Sequence, residues 1–314
     1  MKNICLWLLC LMIATGAQAD GDDALRRFVV NAGHVGLKMS LPISQLRVQP
    51  TLVTGIYALS APNGDFAGYI NEAGSLHGDA RGFKHVVPQW RDLTPAETAD
   101  LRAAVLAAID TRHLPQITYG DGGGRRILLF SAIDCPACSL FEDTMRRYEK
   151  SMNTSLIVVP SSLQDIEKGG HPKWQIVARI MCADDPGTAW QAFWRKTKNR
   201  TSLTPSCSYA QAEQAEHAYD YLRNILNAVG VSVSGTPTFV REDGSFLRNW
   251  SKLNEGQFHA AFGPEGAPAA VTAKSAWLST PGQAPSQGLG EAGGPIQVTI
   301  PLGKLLGGLL GQGR

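Results

Sequence analysis

No charge of one sign dominates this chain. Its 314 residues carry 29 Lys and Arg against 27 Asp and Glu, a formal net charge of +2. That gives no support to a polyanionic partner, so no nucleic-acid partner is expected. Long hydrophobic runs are missing too. The stretch from Ile4 to Ile13 is too short for a bilayer core of about 30 Å. The other apolar segment, Ile296 to Leu310, is interrupted by Pro301, Lys304 and several glycines. Metal-ligand spacing is also absent. Cys135 and Cys138 form a C-x-x-C pair, but no second pair at similar spacing and no His-x₃-His accompany it, so zinc is not expected. No internal repeat is apparent.

What is present begins with an export signal. Lys2 gives a positive start, Ile4 to Ile13 an apolar core, and Ala17-Gln18-Ala19 a small-residue cleavage site, so residues 1–19 read as a signal peptide. Of the six cysteines, Cys5 and Cys10 would leave with it. Cys135, Cys138, Cys182 and Cys207 remain, an even number in an oxidising compartment. Three pairings are possible, and spacing favours Cys135–Cys138 with Cys182–Cys207. The second bond would close a loop of about 25 residues, worth roughly 3 kcal/mol in the chain-entropy picture.

Residues 20–92 suggest a small α+β domain. A short helix is expected from Asp23 to about Asn31, then a hairpin of Gly55–Leu59 and Phe66–Ile70 turning at Pro62-Asn63-Gly64. Thr94, Pro95 and Glu97 make an N-cap, a first helical position and a capping box for a linker helix, with its loop, over 93–118. From 119 to 263 the pattern is α/β. A buried strand, Ile127–Phe130, runs into Cys135. A helix from Pro136 and a second strand, Leu156–Val159, complete a strand–helix–strand unit. A mostly helical stretch to about Val229 carries Cys182, Cys207, Trp174, Trp190 and Trp194, with the tryptophans expected in the core. A hairpin around Thr238–Trp250 and a last helix from about Lys252 to Phe262 follow. Residues 264–314, rich in Gly and Pro, read as a disordered tail.

The chemistry rests on the cysteines. Disulfide exchange needs a thiolate and a nearby second thiol to resolve the mixed disulfide. Cys135, just before a helix, faces unpaired N–H groups and the positive dipole end, which lowers a thiol pKa. Cys138, one turn on, is the resolving thiol, and Pro136 fits the first helical position. A purely structural disulfide at this pair is the alternative. Asp134 would oppose the thiolate if close and buried. Far downstream, the X–Pro bond of Gly235-Thr236-Pro237, ahead of a strand, is a candidate cis peptide. His113 and His171 are expected in surface or packing roles.

With these residues in view, the chain resembles the thioredoxin superfamily, and more narrowly the bacterial periplasmic disulfide isomerases DsbC and DsbG. The resemblance is carried by the strand leading into Cys135-Pro136-Ala137-Cys138, the helical insertion, and Val233-Ser234-Gly235-Thr236-Pro237. It implies a thioredoxin-like catalytic domain with a helical insertion, behind a small α+β dimerisation domain. It assigns Cys135 as nucleophile, Cys138 as resolver, and Thr236 and Pro237 as the substrate-contacting cis-proline loop. Cys182 and Cys207 match that family's second, structural pair.

The activity implied is isomerisation or reduction of non-native disulfides in exported proteins, in the periplasm. It would use a homodimer, a membrane thiol reductant of the DsbD type, and no cofactor beyond the dithiol. A dithiol oxidase, or a non-catalytic chaperone or scaffold of a secretion or transfer apparatus, are the other readings. Pro136-Ala137 differs from the family's usual dipeptides, and the tail has no family counterpart and an unknown partner.

Overall fold

The computed structural model describes residues 20–37, 45–121, 124–195, 207–241, 244–247, 250–262 and Leu278. The expected signal peptide, and the expected tail apart from Leu278, lie outside the described residues. The chain divides into two compact units, Met1–Ala104 with Lys274–Arg314, and Val105–Ala273.

In the first unit, helix α1 covers residues 20–34 and is longer at both ends than its apolar spacing predicts. Leu25, Phe28, Val29 and Ala32 fall at helical intervals, and they pack on Tyr57, Leu59, Ile70 and Val86. The sheet has six strands: β1 (Arg47–Pro50), β2 (Ile56–Ser60), β3 (Phe66–Asn71), β4 (Leu76–Asp79), β5 (Gly82–His85) and β6 (Arg91–Asp92). They pair in chain order, every neighbour antiparallel. The expected β2–β3 hairpin is there, with Ala61 N–H donating to the Asp65 carbonyl at 2.8 Å across the turn. Gly74 is required where it stands: its φ is +62°, and a Cβ there would strike the backbone nitrogen of Phe28 on α1.

Helix α2 (Pro95–Ala107), in which the division between the units falls, starts with the expected box. Glu97 N–H donates to Thr94 Oγ1 at 3.3 Å, and Thr94 N–H to Glu97 Oε2 at 2.8 Å. Arg91 grips the same carboxylate at 2.7 Å and, with Thr94, holds it well below the usual carboxylate range.

The second unit is built on β7 (Gln116–Tyr119), β8 (Arg125–Ala132), β9 (Thr154–Ser161), β10 (Thr238–Arg241) and β11 (Phe246–Leu247). Their order is β11-β10-β8-β9-β7. β8 and β9 are parallel, joined by α3 (Pro136–Tyr148), while β10 runs antiparallel to β8 and β7 antiparallel to β9. Three helices, α4 (His171–Met181), α5 (Pro186–Trp194) and α6 (Ala212–Ala228), are inserted between β9 and β10. Helix α7 (Glu255–Phe262) ends the unit, starting three residues later than its sequence pattern suggests. This is the thioredoxin-like arrangement with a helical insertion.

β8 and β9 read as continuous apolar runs because both faces are covered. Phe141 of α3, Phe239 of β10 and Phe262 of α7 are fully buried and meet edge-on or tilted, with centroids 4.7–5.6 Å apart. Phe141→Ala would cost about 3–5 kcal/mol. Among the described residues no helix is long and apolar enough to cross a membrane.

Candidate functional site

β8, the central strand, ends just before the site, and a tight turn, Cys135 N–H to Ala132 carbonyl at 3.2 Å, swings the chain into α3. Cys135 is the N-cap residue with extended backbone (φ −89°, ψ 120°), and Pro136 takes the first helical position. Pro136 and Ala137 are exposed, Cys135 is 7% exposed and Cys138 is fully buried. Both thiols are free. Arg146 and Arg147 in the last turn of α3 complement the other end of its dipole.

The Gly235–Pro237 loop comes to the same place. The Cys135 thiol donates to the Thr236 carbonyl at 3.4 Å, across 101 residues of chain, and the Thr236–Pro237 bond is cis. Burial raises the Cys135 pKa. The hydroxyl of Thr236, the N–H and thiol of Cys138 and the N–H of Ala137 together outweigh burial, so Cys135 is lowered below an ordinary thiol. Cys138 goes the other way. Burial pushes it up to about 11 against the smaller effects of Ser131, Thr236 and the Ala132 N–H. The two sulfurs are thus split into an outer thiolate-forming group and an inner protonated one.

Asp134 does not oppose the nucleophile as its place in the chain suggests. Its carboxylate accepts from the Ser162 hydroxyl and the Leu163 N–H, both at 2.8 Å, on the β9 side. Cys182, the C-cap of α4, is bonded to Cys207, with Cα atoms 5.3 Å apart, so this bond ties the end of α4 to the approach to α6. His113 packs edge-on to Tyr209, and His171 pairs with Glu213 at 3.2 Å. Among the described residues no three His, Cys, Asp or Glu gather as a metal site.

Four features had no clear sequence signal. Trp194, expected in the core, is half-buried and packs on the cluster of Ala132, Cys135 and Cys138. Glu142, one turn beyond Cys138, is 7% exposed and accepts from Trp190 Nε1 at 2.9 Å; burial pushes its carboxyl up to about 7. Ser131, on β8, is fully buried. A cavity of about 440 Å³ opens beside Thr236, lined among others by Ser162, Leu163, Glu216, Asp220 and Arg223. Burial raises both the Glu216 and the Asp220 carboxyls. The spacing of Glu142 from Cys138, four residues on an amphipathic helix, was the one legible hint.

No family model matches this chain, and no curated protein does. Solved structures similar to it include a disulfide interchange protein from Neisseria gonorrhoeae, at 20% identity, over 44% of this chain and 85% of that one, with a TM-score of 0.31. ScsC of Proteus mirabilis in a compact conformation shares 15% identity over 48% and 71%, with a TM-score of 0.33. DsbA2 of Pseudomonas aeruginosa shares 19% over 46% and 90%, with a TM-score of 0.31. Likeness at this level carries no chemistry across, and the reading of function below stands on the site.

Proposed function

We propose that the chain is an exported thiol–disulfide oxidoreductase that reduces or isomerises non-native disulfides in exported proteins. The observation that carries this is the asymmetry of the dithiol. Cys135 has a lowered pKa at a helix N-terminus, against the backbone of Thr236, while Cys138 is buried behind it and held as a thiol. A structural disulfide needs no such split.

The Cys135 thiolate attacks one sulfur of a substrate disulfide. The Cys135–substrate bond forms, the substrate's S–S bond breaks, and the departing sulfur takes up a proton. Isomerisation follows when another substrate thiolate attacks the same substrate sulfur and returns Cys135 reduced. Reduction follows when Cys138 attacks Cys135 instead, forming the Cys135–Cys138 disulfide and releasing substrate as a thiol. A membrane reductant of the DsbD type would then return two electrons to the pair. Thr236, Pro237 and the adjoining cavity hold the substrate chain next to Cys135. A homodimer formed through the first unit, a periplasmic location and a tail that engages a separate partner belong to this proposal.

The lowered Cys135 pKa also favours a second reading, a dithiol oxidase. A stabilised thiolate stabilises the reduced form and makes the disulfide more oxidising. The test is reactivation of a scrambled multi-disulfide protein in a fixed thiol buffer by residues 20–314 and by its Cys135→Ser and Cys138→Ser forms. Activity that needs Cys135 and survives loss of Cys138 supports isomerisation. No activity above buffer refutes it, and a dithiol found oxidised in cells selects the oxidase.

A further inference from the structure

Cys138 has a task its surroundings make difficult. To resolve a mixed disulfide it must become an anion, yet it is fully buried and burial disfavours its charged form. Its titratable neighbours offer little help. Cys135 is tied up in the mixed disulfide at that moment, and Glu142, one turn along α3, has its Oε1 taken by Trp190. Trp194 packs against the pair.

Three polar side chains around the dithiol have a buried atom without a hydrogen-bond partner, Ser131, Thr236 and Trp194, and of these only Ser131 is fully buried. Ser131 lies on β8, four residues before Cys135, and is 0% exposed. Its backbone carbonyl accepts from the Ser161 hydroxyl at 3.4 Å, but its own hydroxyl has no hydrogen-bond partner among the described residues. A buried unpaired hydroxyl is costly, so its persistence calls for a state in which it is paired. The sulfur it bears upon is that of Cys138, where it makes no formed hydrogen bond in the thiol state yet favours the charged form.

We propose that Ser131 is the charge-stabilising residue of the resolving half-reaction: its buried, otherwise unpaired hydroxyl donates to the Cys138 sulfur as that sulfur turns anionic. Cys138 gives up its proton, its thiolate attacks Cys135 Sγ, the Cys135–Cys138 bond forms, and the Cys135–substrate bond breaks. The proton ends on the departing substrate sulfur, so the substrate gains two electrons and the dithiol loses them. The inference rests on the exchange chemistry proposed above and adds a residue that governs how long the mixed disulfide lives, hence the balance between reduction and isomerisation.

The experiment uses reduced protein of residues 20–314 and the coloured aromatic disulfide 5,5′-dithiobis(2-nitrobenzoate) in rapid mixing. Attack by Cys135 releases one coloured thiolate, and attack by Cys138 on the resulting mixed disulfide releases the second, so the two phases report the two cysteines separately. Ser131→Ala is expected to leave the first phase within about twofold and to slow the second about tenfold, the worth of one hydrogen bond to a charged sulfur. Ser131→Thr and Ser131→Val share the same added bulk and differ in the hydroxyl. Val is expected to be slower than Thr in the second phase by a similar factor, with the second phase's pH midpoint raised. Equal second phases for Thr and Val, or both phases slowed alike, would overturn the role of Ser131. A protein with no Cys135-dependent first phase would sink the exchange reading itself, and the proposal with it, and is told apart by that missing phase.

Discussion

The second unit holds two cysteine pairs built from the same atoms and set to opposite ends. Cys182 and Cys207 lie 25 residues apart, bridged at the end of one helix and the approach to another, both within a helical shell. Cys135 and Cys138 lie one helical turn apart, unbridged, where a strand turns into a helix beside a cis-proline loop. The difference is one of electrical environment more than of cysteine. The first pair is closed as a disulfide and carries no thiol to ionise. The second faces N–H groups and a carbonyl-bearing loop that treat its two sulfurs unequally.

The largest effect separates the pairs by activity. Cys135→Ser should lower disulfide exchange at least about a thousandfold, the loss expected for a nucleophile. Replacing Cys182 and Cys207 by Ala should leave the rate per folded molecule unchanged. That double replacement should instead lower stability by roughly 3 kcal/mol, or on the order of 10 °C in melting temperature for a unit of this size. Calorimetry and an exchange assay on the same samples read both, and a double variant that loses activity in step with Cys135→Ser would erase the comparison.

Within the redox pair the contrast is one of pH. Alkylation of Cys135 should rise with pH about a midpoint below that of a free thiol. Alkylation of Cys138 in a Cys135→Ala background should rise only towards about 11. Coinciding midpoints would remove the division of labour. Glu142, on the same helix, sharpens the point for stability. Its carboxyl moves from 4.5 in the unfolded chain to about 7 when folded, so the folded state holds its proton longer. Stability from this group is complete below pH 4.5, falls as pH rises towards 7, and is level beyond. Glu142→Gln, which keeps an acceptor for Trp190, should therefore match the parent at low pH and exceed it by about 3 kcal/mol above neutrality in denaturant titrations. The smallest effect is set for Asp134→Asn. Its carboxylate is turned to Ser162 and Leu163, so Cys135 alkylation should change less than about twofold.

Much of the second unit was legible because its signals are local. The Cys-Pro-Ala-Cys turn and the apolar strands flanking α3 are each written in a few adjacent residues. β7 escaped notice because only Ile117 and Tyr119 of its four residues mark a buried face, and its pairing with β9 comes from the fold. The first unit was read as one hairpin where six strands stand. β4 (LHGD) and β5 (GFKH) carry glycine and charge, and they are strands because β4 pairs with β3 and β5 with β4. Glu142, Ser131 and Trp194 lie outside any motif. Their significance comes from what the tertiary structure sets beside them.

The strand order of the two units has a consequence for how the chain comes into being. Every pairing in the first sheet joins strands adjacent in sequence, so that sheet can zip up as the chain emerges. The second sheet cannot close until β10 reaches β8, and Thr236 trails Cys135 by 101 residues. Until then the dithiol exists without its proline loop, a nascent reactive thiol pair on an unfinished scaffold. Competence for exchange therefore arrives late in synthesis, with the last strands, and a chain cut short of them carries the two cysteines without their chemistry.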